Sequence, residues 1–153
     1  MTRKRSSLCR AEDGEVAVEG AVTMLALIFL ILGSVQFGLV FWNWNTMMLA
    51  VEEAGRYAMV YHQGPPVTCA AQSQAPRCPT LSNTPLANCS AAFAQQVLSA
   101  YQAVDIDVSV NEDTTSSPAT ITICTSHSVD FVAPQLLPYG PLNLTCQLTV
   151  PLI

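Results

Sequence analysis

The sequence predicts an α+β protein: a long N-terminal transmembrane helix that extends beyond the bilayer, then a short helix and a small three-stranded antiparallel sheet. Three observations predict this class. No charged residue lies between Glu19 and Glu52, and no proline precedes Pro65. The last third of the chain is rich in alternating apolar and β-branched residues, which are typical of strands.

The composition is that of a membrane-associated chain rather than an ordinary soluble domain. Half of the residues are hydrophobic and 11% are charged, whereas about 25% is usual in soluble domains. The net charge is -5, and no cluster of Lys or Arg follows residue 10. We therefore expect no nucleic acid as a partner, because proteins that bind it present basic faces.

The apolar run from Ala21 to Trp42 is 22 residues long. A helix of that length covers roughly 33 Å, about one hydrocarbon core. The alternative is a cleavable secretory signal, but its apolar region is about 7–15 residues and ends at a small-residue cleavage site. Here the run ends in VFWNWN, aromatic and amide residues typical of a membrane interface. The pattern favours a retained transmembrane helix.

The distribution of basic residues predicts the orientation of this helix. Four basic residues precede the run: Arg3, Lys4, Arg5 and Arg10. After the run, two acidic residues come before Arg56. By the positive-inside rule the N-terminus stays in the cytoplasm and the remainder is translocated. We therefore expect a cytoplasmic basic leader (1–14), a transmembrane and extended helix (15–62) and a translocated, Cys-containing α+β domain (63–153).

The helix is expected to continue past the bilayer to about His62. Its continuation carries apolar residues at helical spacing: Met47, Val51, Ala54 and Ala58. Glu52 and Arg56 stand in the i, i+4 order that supports a helix. A continuous helix of this length measures roughly 70 Å. Part of it must therefore lie in lipid and part against other protein.

Five cysteines lie on the translocated side, where disulfides can form: Cys69, Cys78, Cys89, Cys124 and Cys146. No C-x-x-C spacing indicates zinc or a redox motif. Two disulfides and one leftover thiol are the expectation, and the sequence does not choose among the possible pairings. The Pro-rich stretch 64–89 contains three of these cysteines. It predicts a long loop that a disulfide within the stretch could constrain.

The stretch from Ser90 to Val104 predicts the short helix, with Ser90 as its N-cap. Its expected buried face is Phe93, Val97, Ala100, Tyr101 and Val104.

Three stretches predict the strands of the sheet. DIDVSV alternates, with Ile106, Val108 and Val110 on one face, and NEDTTSSP follows as a turn. ATITICTSHSVDFV predicts the second strand, and the Pro-rich APQLLPYGP connects it to the third, LNLTCQLTVPLI. The expected inner face of the third strand is Leu142, Leu144, Cys146, Leu148 and Val150.

No pattern predicts an enzyme, a metal site or a cofactor. His62 and His127 are the two histidines, and neither has a partner at catalytic or ligand spacing. Asp105 and Asp107 alternate on the expected solvent face of a strand.

Within the apolar run, Ser34 and Gly38 form a small-xxx-small pair, which favours close packing of two membrane helices. Gln36 lies in the same turn. An amide inside lipid needs a hydrogen-bond partner from another helix, unless Gln36 lies near the outer boundary and reaches water.

The residues before the apolar run resemble a known processing site. Gly14 is followed by EVAVE and then by the long apolar helix, with a basic leader upstream. This resembles the prepilin-peptidase site of type IV pilin-like proteins. The resemblance implies cleavage between Gly14 and Glu15, which makes Glu19 the fifth residue of the mature chain. In that family the fifth-position Glu is thought to pair with the N-terminal amine of a neighbouring subunit.

The resemblance extends to TadE/TadG-like pseudopilins of the tight-adherence (Flp, type IVb) pilus system. The residues that carry it are Gly14 to Glu19, QFG at Gln36 to Gly38 and EEAGRYA at Glu52 to Ala58. Two positions depart from the family pattern: Gly20 stands where Phe is usual, and Gln36 where Glu is commoner.

The resemblance implies a minor pilin or pseudopilin that acts in assembly of a tight-adherence pilus. Its implied partners are prepilin peptidase, other pilin subunits with their assembly machinery, and the lipid of the bacterial inner membrane. The implied location is a single pass through that membrane with the C-terminal domain in the periplasm. The alternative is a membrane-anchored periplasmic binding module that never enters a filament.

Overall fold

The computed structural model describes residues 8–103, 105–130 and 141–153, although nothing is described of the side chains of residues 8–13 and 15. The elements in chain order are the helices α1 (Leu8–Val60) and α2 (Pro85–Ala100) and the strands β1 (Asp107–Asp113), β2 (Thr120–Val129) and β3 (Leu142–Pro151). The predicted α+β class is confirmed. Compact packing divides the chain into two units at Leu39 and Val40, and α1 runs through the division.

Helix α1 is 53 residues long and begins at Leu8, earlier than the expected residue 15. The acidic stretch after Leu8 contains no proline and no run of β-branched residues, so nothing in it opposes a helix. The helix ends at Val60, two residues before the expected His62. Gly64 adopts a φ of 142° and two prolines follow it, so the chain cannot continue as a helix.

From Ala21 to Leu39, the part of α1 in the first unit is predominantly apolar around its whole circumference. Between Val16 and Val35 every side chain is exposed. Among the described residues, Val16–Val60 is the one helix that is long and apolar enough to cross a membrane, and the most apolar window in it is 0% buried. A helix that is hydrophobic all round and is not buried in protein is typical of a membrane span. The finding indicates a single-pass membrane anchor.

The second unit is built on a three-stranded antiparallel sheet of order β1-β2-β3, as predicted. Val108 pairs with Thr125 and Ile123 pairs with Leu148, so these side chains share one face. That face forms the core together with α2 and with the stripe predicted on α1, Met47, Val51, Ala54 and Ala58, whose members are at most 1% exposed.

Helix α2 begins earlier than predicted and buries a different face. Its N-cap is Thr84, whose side chain accepts a hydrogen bond from the backbone N–H of Ala87, and Pro85 occupies the first helical position. Ser90, the predicted N-cap, lies inside the helix and is fully buried. The buried residues of α2 are Leu86, Ala87, Cys89, Ser90, Ala91, Ala94 and Leu98.

The face predicted for α2 is therefore wrong for Ala100 and Tyr101, which are exposed. Phe93 and Val97 lie at the edge of the buried face and are half-buried. The last predicted member, Val104, lies outside the described residues. The buried Ala94 and Leu98 each follow a predicted position, Phe93 and Val97, by one residue, so the buried face is turned by about 100° from the predicted one.

Strand β1 also differs from its prediction. It begins at Asp107, so Asp105 precedes the strand, and it continues through Asn111, Glu112 and Asp113, which were expected in a turn. Tertiary hydrogen bonds hold this polar end extended, because the N–H of Glu112 donates to Ser82 Oγ at 2.7 Å and its carboxylate accepts from Thr84 Oγ1. The connection APQLLPYGP between the second and third strands lies outside the described residues except for Pro141.

The long loop after α1 is attached to the edge of the sheet. One of its side chains makes the hydrogen bonds to β1 that a neighbouring strand would make. The side chain of Gln72 both donates to the carbonyl of Val110 and accepts from its N–H, each at 2.7 Å. The N–H of Ser82 donates to the same carbonyl at 3.1 Å. This free edge of β1 is therefore covered by the loop.

Two disulfides hold the loop, Cys69–Cys89 and Cys78–Cys124, with sequence separations of 20 and 46. The first joins the loop to α2 and the second joins it to β2. Cys146 on β3 is a free thiol.

We expect a Cys78→Ser/Cys124→Ser double variant to lose about 2–4 kcal/mol of unfolding free energy, because the bridge restricts a long segment of the unfolded chain. Urea titration of the full chain in detergent measures this loss. Cys146→Ser is the matched control, since that thiol forms no bridge. A double variant that unfolds at the same urea concentration as the parent would show that this bridge does not stabilise the fold.

Candidate assembly helix and its attachment to the sheet

The predicted cleavage site lies within α1. Gly14 is helical and exposed, and a Cβ placed on it would meet no atom within 4 Å in the described residues. The side chain of its neighbour Glu15 is outside the described part. Glycine weakens a helix interior by about 1 kcal/mol relative to alanine, so the helix opens more readily here than elsewhere along this segment.

Glu19 is an exposed carboxylate on an otherwise apolar helix surface. Its described neighbours Val16, Val18 and Val22 are 65–70% exposed. In the described residues no side chain donates a hydrogen bond to Glu19, and it forms no ion pair there. The carboxylate is therefore free for a partner, and in an apolar environment an unpaired carboxylate is costly.

The structure separates the three residues predicted for helix packing into two faces. Ser34 and Gly38 are one helical turn apart and lie on the same face, but Gln36 is about 200° from Ser34 around the axis. The hydroxyl of Ser34 donates to the carbonyl of Ile31 at 2.8 Å, and a Cβ on Gly38 would meet nothing within 4 Å. The Ser34–Gly38 face is thus small and open, and the Gln36 amide points elsewhere.

A histidine of the sheet, His127, is hydrogen-bonded to α1 at Asn43, near the start of the second unit. His127 Nδ1 lies 2.8 Å from the carbonyl of Asp105, and Nε2 lies 3.3 Å from Nδ2 of Asn43. A carbonyl can only accept, so Nδ1 carries the hydrogen and Nε2 accepts from the Asn43 amide in this assignment. His127 is therefore a structural link between β2, the residues before β1 and α1.

Further along α1, Gly55 allows the helix to lie directly on the sheet. A Cβ on Gly55 would stand 3.2 Å from Leu148 Cδ2 and 3.2 Å from Val150 Cγ2, closer than ordinary van der Waals contact. Backbone therefore touches side chain here without a gap. The predicted Glu52–Arg56 pair is not formed in the structure, since Arg56 instead lies 3.5 Å from Glu53 and both side chains are solvated.

An aromatic group joins α1 to α2. The ring of Tyr57 stacks on Phe93 with centroids 5.1 Å apart and lies 4.7 Å from the ring of Tyr61. Burial, followed by the neighbouring Tyr61, raises the pKa of the Tyr57 hydroxyl. The hydroxyl therefore stays neutral at physiological pH, as suits an interhelical contact.

Cys146 is half-buried on β3. Burial raises the pKa of its thiol, and the nearby Glu52 carboxylate raises it further. At neutral pH the sulfur is therefore a protonated thiol, which is a weak nucleophile.

We expect iodoacetamide to alkylate Cys146 more slowly in the folded chain than in the urea-unfolded chain at pH 7.5, and the rate to rise with pH beyond the range of an ordinary thiol. Glu52→Gln should speed the reaction because it removes a negative charge, whereas Glu53→Gln serves as control. Peptide mass spectrometry separates this site from Cys9. Equal rates in folded and unfolded chains would contradict the raised pKa.

No catalytic arrangement is formed by the parts of the chain that the structure describes. In those parts, no group of three or more His, Cys, Asp or Glu residues could hold a metal ion. His62 Nδ1 lies 2.9 Å from the carbonyl of Met59 and so caps the end of α1. His127 has the structural role given above. That no enzyme activity exists stays a prediction.

Sequence reasoning missed Asn43, Gly55 and Gln72. One signal was available for Gly55: a glycine inside a helix pattern and beside buried positions often marks a close approach of two elements. Nothing local distinguished Asn43 or Gln72 from solvated amides, because the strand residues that they contact, His127 and Val110, are 84 and 38 positions away in sequence.

Comparison with known proteins places the resemblance on the same segment. Residues 14–56 match the model of the TadE-like protein family. Searches of curated proteins and of solved structures found no significant match. The matched segment begins at Gly14 and spans Glu19, the Ser34–Gly38 face, Asn43 and Gly55. The family implies a protein associated with the tight-adherence pilus. Segment 14–56 is therefore similar to the TadE-like family, on the residues for which the sequence predicted the resemblance.

Proposed function

We propose that this protein is a minor pilin or pseudopilin that acts in assembly of a tight-adherence type IVb pilus. The observation that carries the proposal is the TadE-like segment 14–56, which coincides with an apolar helix that is exposed on all sides up to Val35. An anchor needs only length and hydropathy. A defined glycine and a carboxylate at the head of the span are additional features that an anchor does not require.

The first step is removal of the leader. Prepilin peptidase cuts between Gly14 and Glu15 at the cytoplasmic face of the inner membrane, where the basic residues of the leader hold the N-terminus. The new N-terminus is the ammonium group of Glu15. The acidic residues before Gly14 are discarded with the leader.

The second step is lateral association of the helix in the membrane. The small, open Ser34–Gly38 face lets another helix approach closely, as small residues do in membrane helix pairs. Glu19 sets the axial register, because its carboxylate must find the N-terminal ammonium of a neighbouring subunit rather than remain unpaired in lipid. Asn43 and Gly55 attach the C-terminal part of α1 to the sheet of the second unit.

A span exchange distinguishes this function from that of a membrane-anchored binding module. Residues 15–45 are replaced with an unrelated transmembrane segment of equal length, and surface pili are counted by electron microscopy. We expect the exchanged chain to insert in the membrane but not to support pilus assembly. A matched control exchanges 22–33 alone for other apolar residues and keeps Gly14, Glu19, Ser34 and Gly38. Normal piliation with the full exchange would support the anchor instead.

A further inference from the structure

A polar pocket of about 220 Å³ lies at one end of the sheet. The start of β1, the end of β2 and the start of β3 meet there, together with a turn of the disulfide-bonded loop. The side chains that matter for its chemistry are Arg77, Asp105, Asp107, His127, Ser128 and Asn143.

The charges of this pocket do not neutralise one another. Arg77 and the two aspartates line the same cavity, but none of them forms an ion pair within 4 Å in the described residues, where the recorded pair is Arg56 with Glu53. The pocket thus offers a cationic donor and two anionic acceptors at separate positions. Such an arrangement suits a small ligand that carries both charges.

The backbone that carries two of the charged residues, Arg77 and Asp105, is held in place by other parts of the fold. Arg77 precedes Cys78, which is bridged to Cys124 on β2. Arg77 and Asp105 have φ values of 65° and 61°, a left-handed conformation that is uncommon for residues other than glycine. Such outliers cluster at ligand sites. The Asp105 carbonyl is also hydrogen-bonded to His127, so the chain holds both charged positions by tertiary contacts.

The pocket lies next to the residue where α1 leaves its apolar run. His127, which lines the pocket, contacts Asn43, and Asn43 directly follows Trp42, the last residue of that run. With the span taken to end at Trp42, where the apolar run ends, the pocket lies close to the lipid head groups. Tryptophans at positions 42 and 44 are the residues expected at such a boundary.

We propose that this pocket binds the zwitterionic head group of a phospholipid that carries a primary ammonium, as phosphatidylethanolamine does. The ammonium is bound by the Asp105 and Asp107 carboxylates, and the phosphate by the Arg77 guanidinium with the Ser128 hydroxyl and the Asn143 amide as further donors. A purely anionic head group is disfavoured by the two carboxylates. The proposal rests on the proposed function, in which the apolar run of α1 lies in the membrane, and it adds a specific lipid contact.

The test measures lipid binding to the full chain in maltoside micelles by native mass spectrometry, titrating phosphatidylethanolamine and, separately, phosphatidylcholine. We expect phosphatidylethanolamine to bind about tenfold more tightly, because a trimethylated ammonium cannot donate hydrogen bonds to the carboxylates. Asp107→Asn and Arg77→Gln should each weaken binding of phosphatidylethanolamine about tenfold. The controls Asp113→Asn and Arg56→Gln make the same chemical changes outside the pocket and should leave it unchanged.

Equal binding of the two lipids, or unchanged binding in both pocket variants, would overturn the proposal. Soluble phosphoethanolamine that binds as tightly as the lipid would overturn the lipid as the source of the ligand. Asp105→Asn is a further pocket variant that keeps the fold, because asparagine tolerates the left-handed conformation and the backbone carbonyl remains. Failure of this site leaves cleavage after Gly14 unaffected, so the two proposals fail separately.

Discussion

A Glu19→Gln variant should insert in the membrane and lose its leader normally, but fail to assemble. In the assembled state the proposed partner of this carboxylate is the ammonium of a neighbouring Glu15. Removing one member of a buried ion pair costs about 3–5 kcal/mol, because the other charge stays buried and unpaired. We therefore expect surface pili to fall at least about a hundredfold. Electron microscopy of the cells and the protein content of sheared filaments measure the loss.

The matched control for this variant is Glu12→Gln, the same substitution in the leader whose removal is proposed. It should leave piliation unchanged. The mass of the membrane-extracted Glu19→Gln chain confirms that the leader is still removed. Normal piliation of this variant would remove the register argument while leaving the cleavage proposal intact.

A Gly55→Leu variant should lower the thermal midpoint of the second unit by about 5–15 °C. Even a Cβ at this position would stand 3.2 Å from Leu148 and 3.2 Å from Val150. A leucine side chain must therefore push α1 off the sheet or force these side chains from their rotamers, a cost of about 1–3 kcal/mol or more. The better helix propensity of leucine recovers about 1 kcal/mol at most. Circular dichroism of the full chain in detergent measures the midpoint.

Gly38→Leu provides the contrast within the same helix. A Cβ there meets no atom within 4 Å in the described residues, so the thermal midpoint should not fall. In the proposed function the larger side chain should instead hinder lateral association and reduce piliation. A Gly55→Leu chain that melts at the parental temperature would contradict the direct contact between α1 and β3.

Periodicity was sufficient to predict the large features. The stripe Met47, Val51, Ala54 and Ala58 is buried because a helix with that spacing has one apolar side, whatever lies opposite. Along β3, Leu144 and Val150 are buried and Cys146 and Leu148 are half-buried, as alternation predicts, while Leu142 at the strand end is 40% exposed. These features depend only on the spacing of apolar residues within one helix or strand, and that spacing can be read directly from the sequence.

The errors arose where a distant partner decided the structure. Ser90 and Thr84 are both acceptable N-caps by type, but Thr84 also donates to Glu112 on β1, and Pro85 suits the first helical position. The polar end of β1 is a strand because Ser82 and Thr84 bind Glu112. The cysteine pairing was left open for the same reason, since it is a property of the assembled fold.

The sequence predicted the candidate residues of α1 but not the contacts that attach this helix to the sheet. The family resemblance located Gly14, Glu19 and the Ser34–Gly38 face, and the TadE-like match covers all of them. It did not locate the attachment of α1 to the sheet, because the Asn43–His127 contact joins residues 84 positions apart. Gln36 was named beside Ser34 and Gly38 because it lies in the same turn, and helix geometry places its side chain about 200° from Ser34.

The central claim is that this chain is a substrate of prepilin peptidase and enters assembly through its new N-terminus. Intact-mass spectrometry of the membrane-extracted protein, from cells with and without active prepilin peptidase, tests it most directly. We expect a chain that begins at Glu15 when the peptidase is active and one that retains residues 1–14 when it is not. A chain that keeps residues 1–14 in the presence of the active peptidase would contradict it.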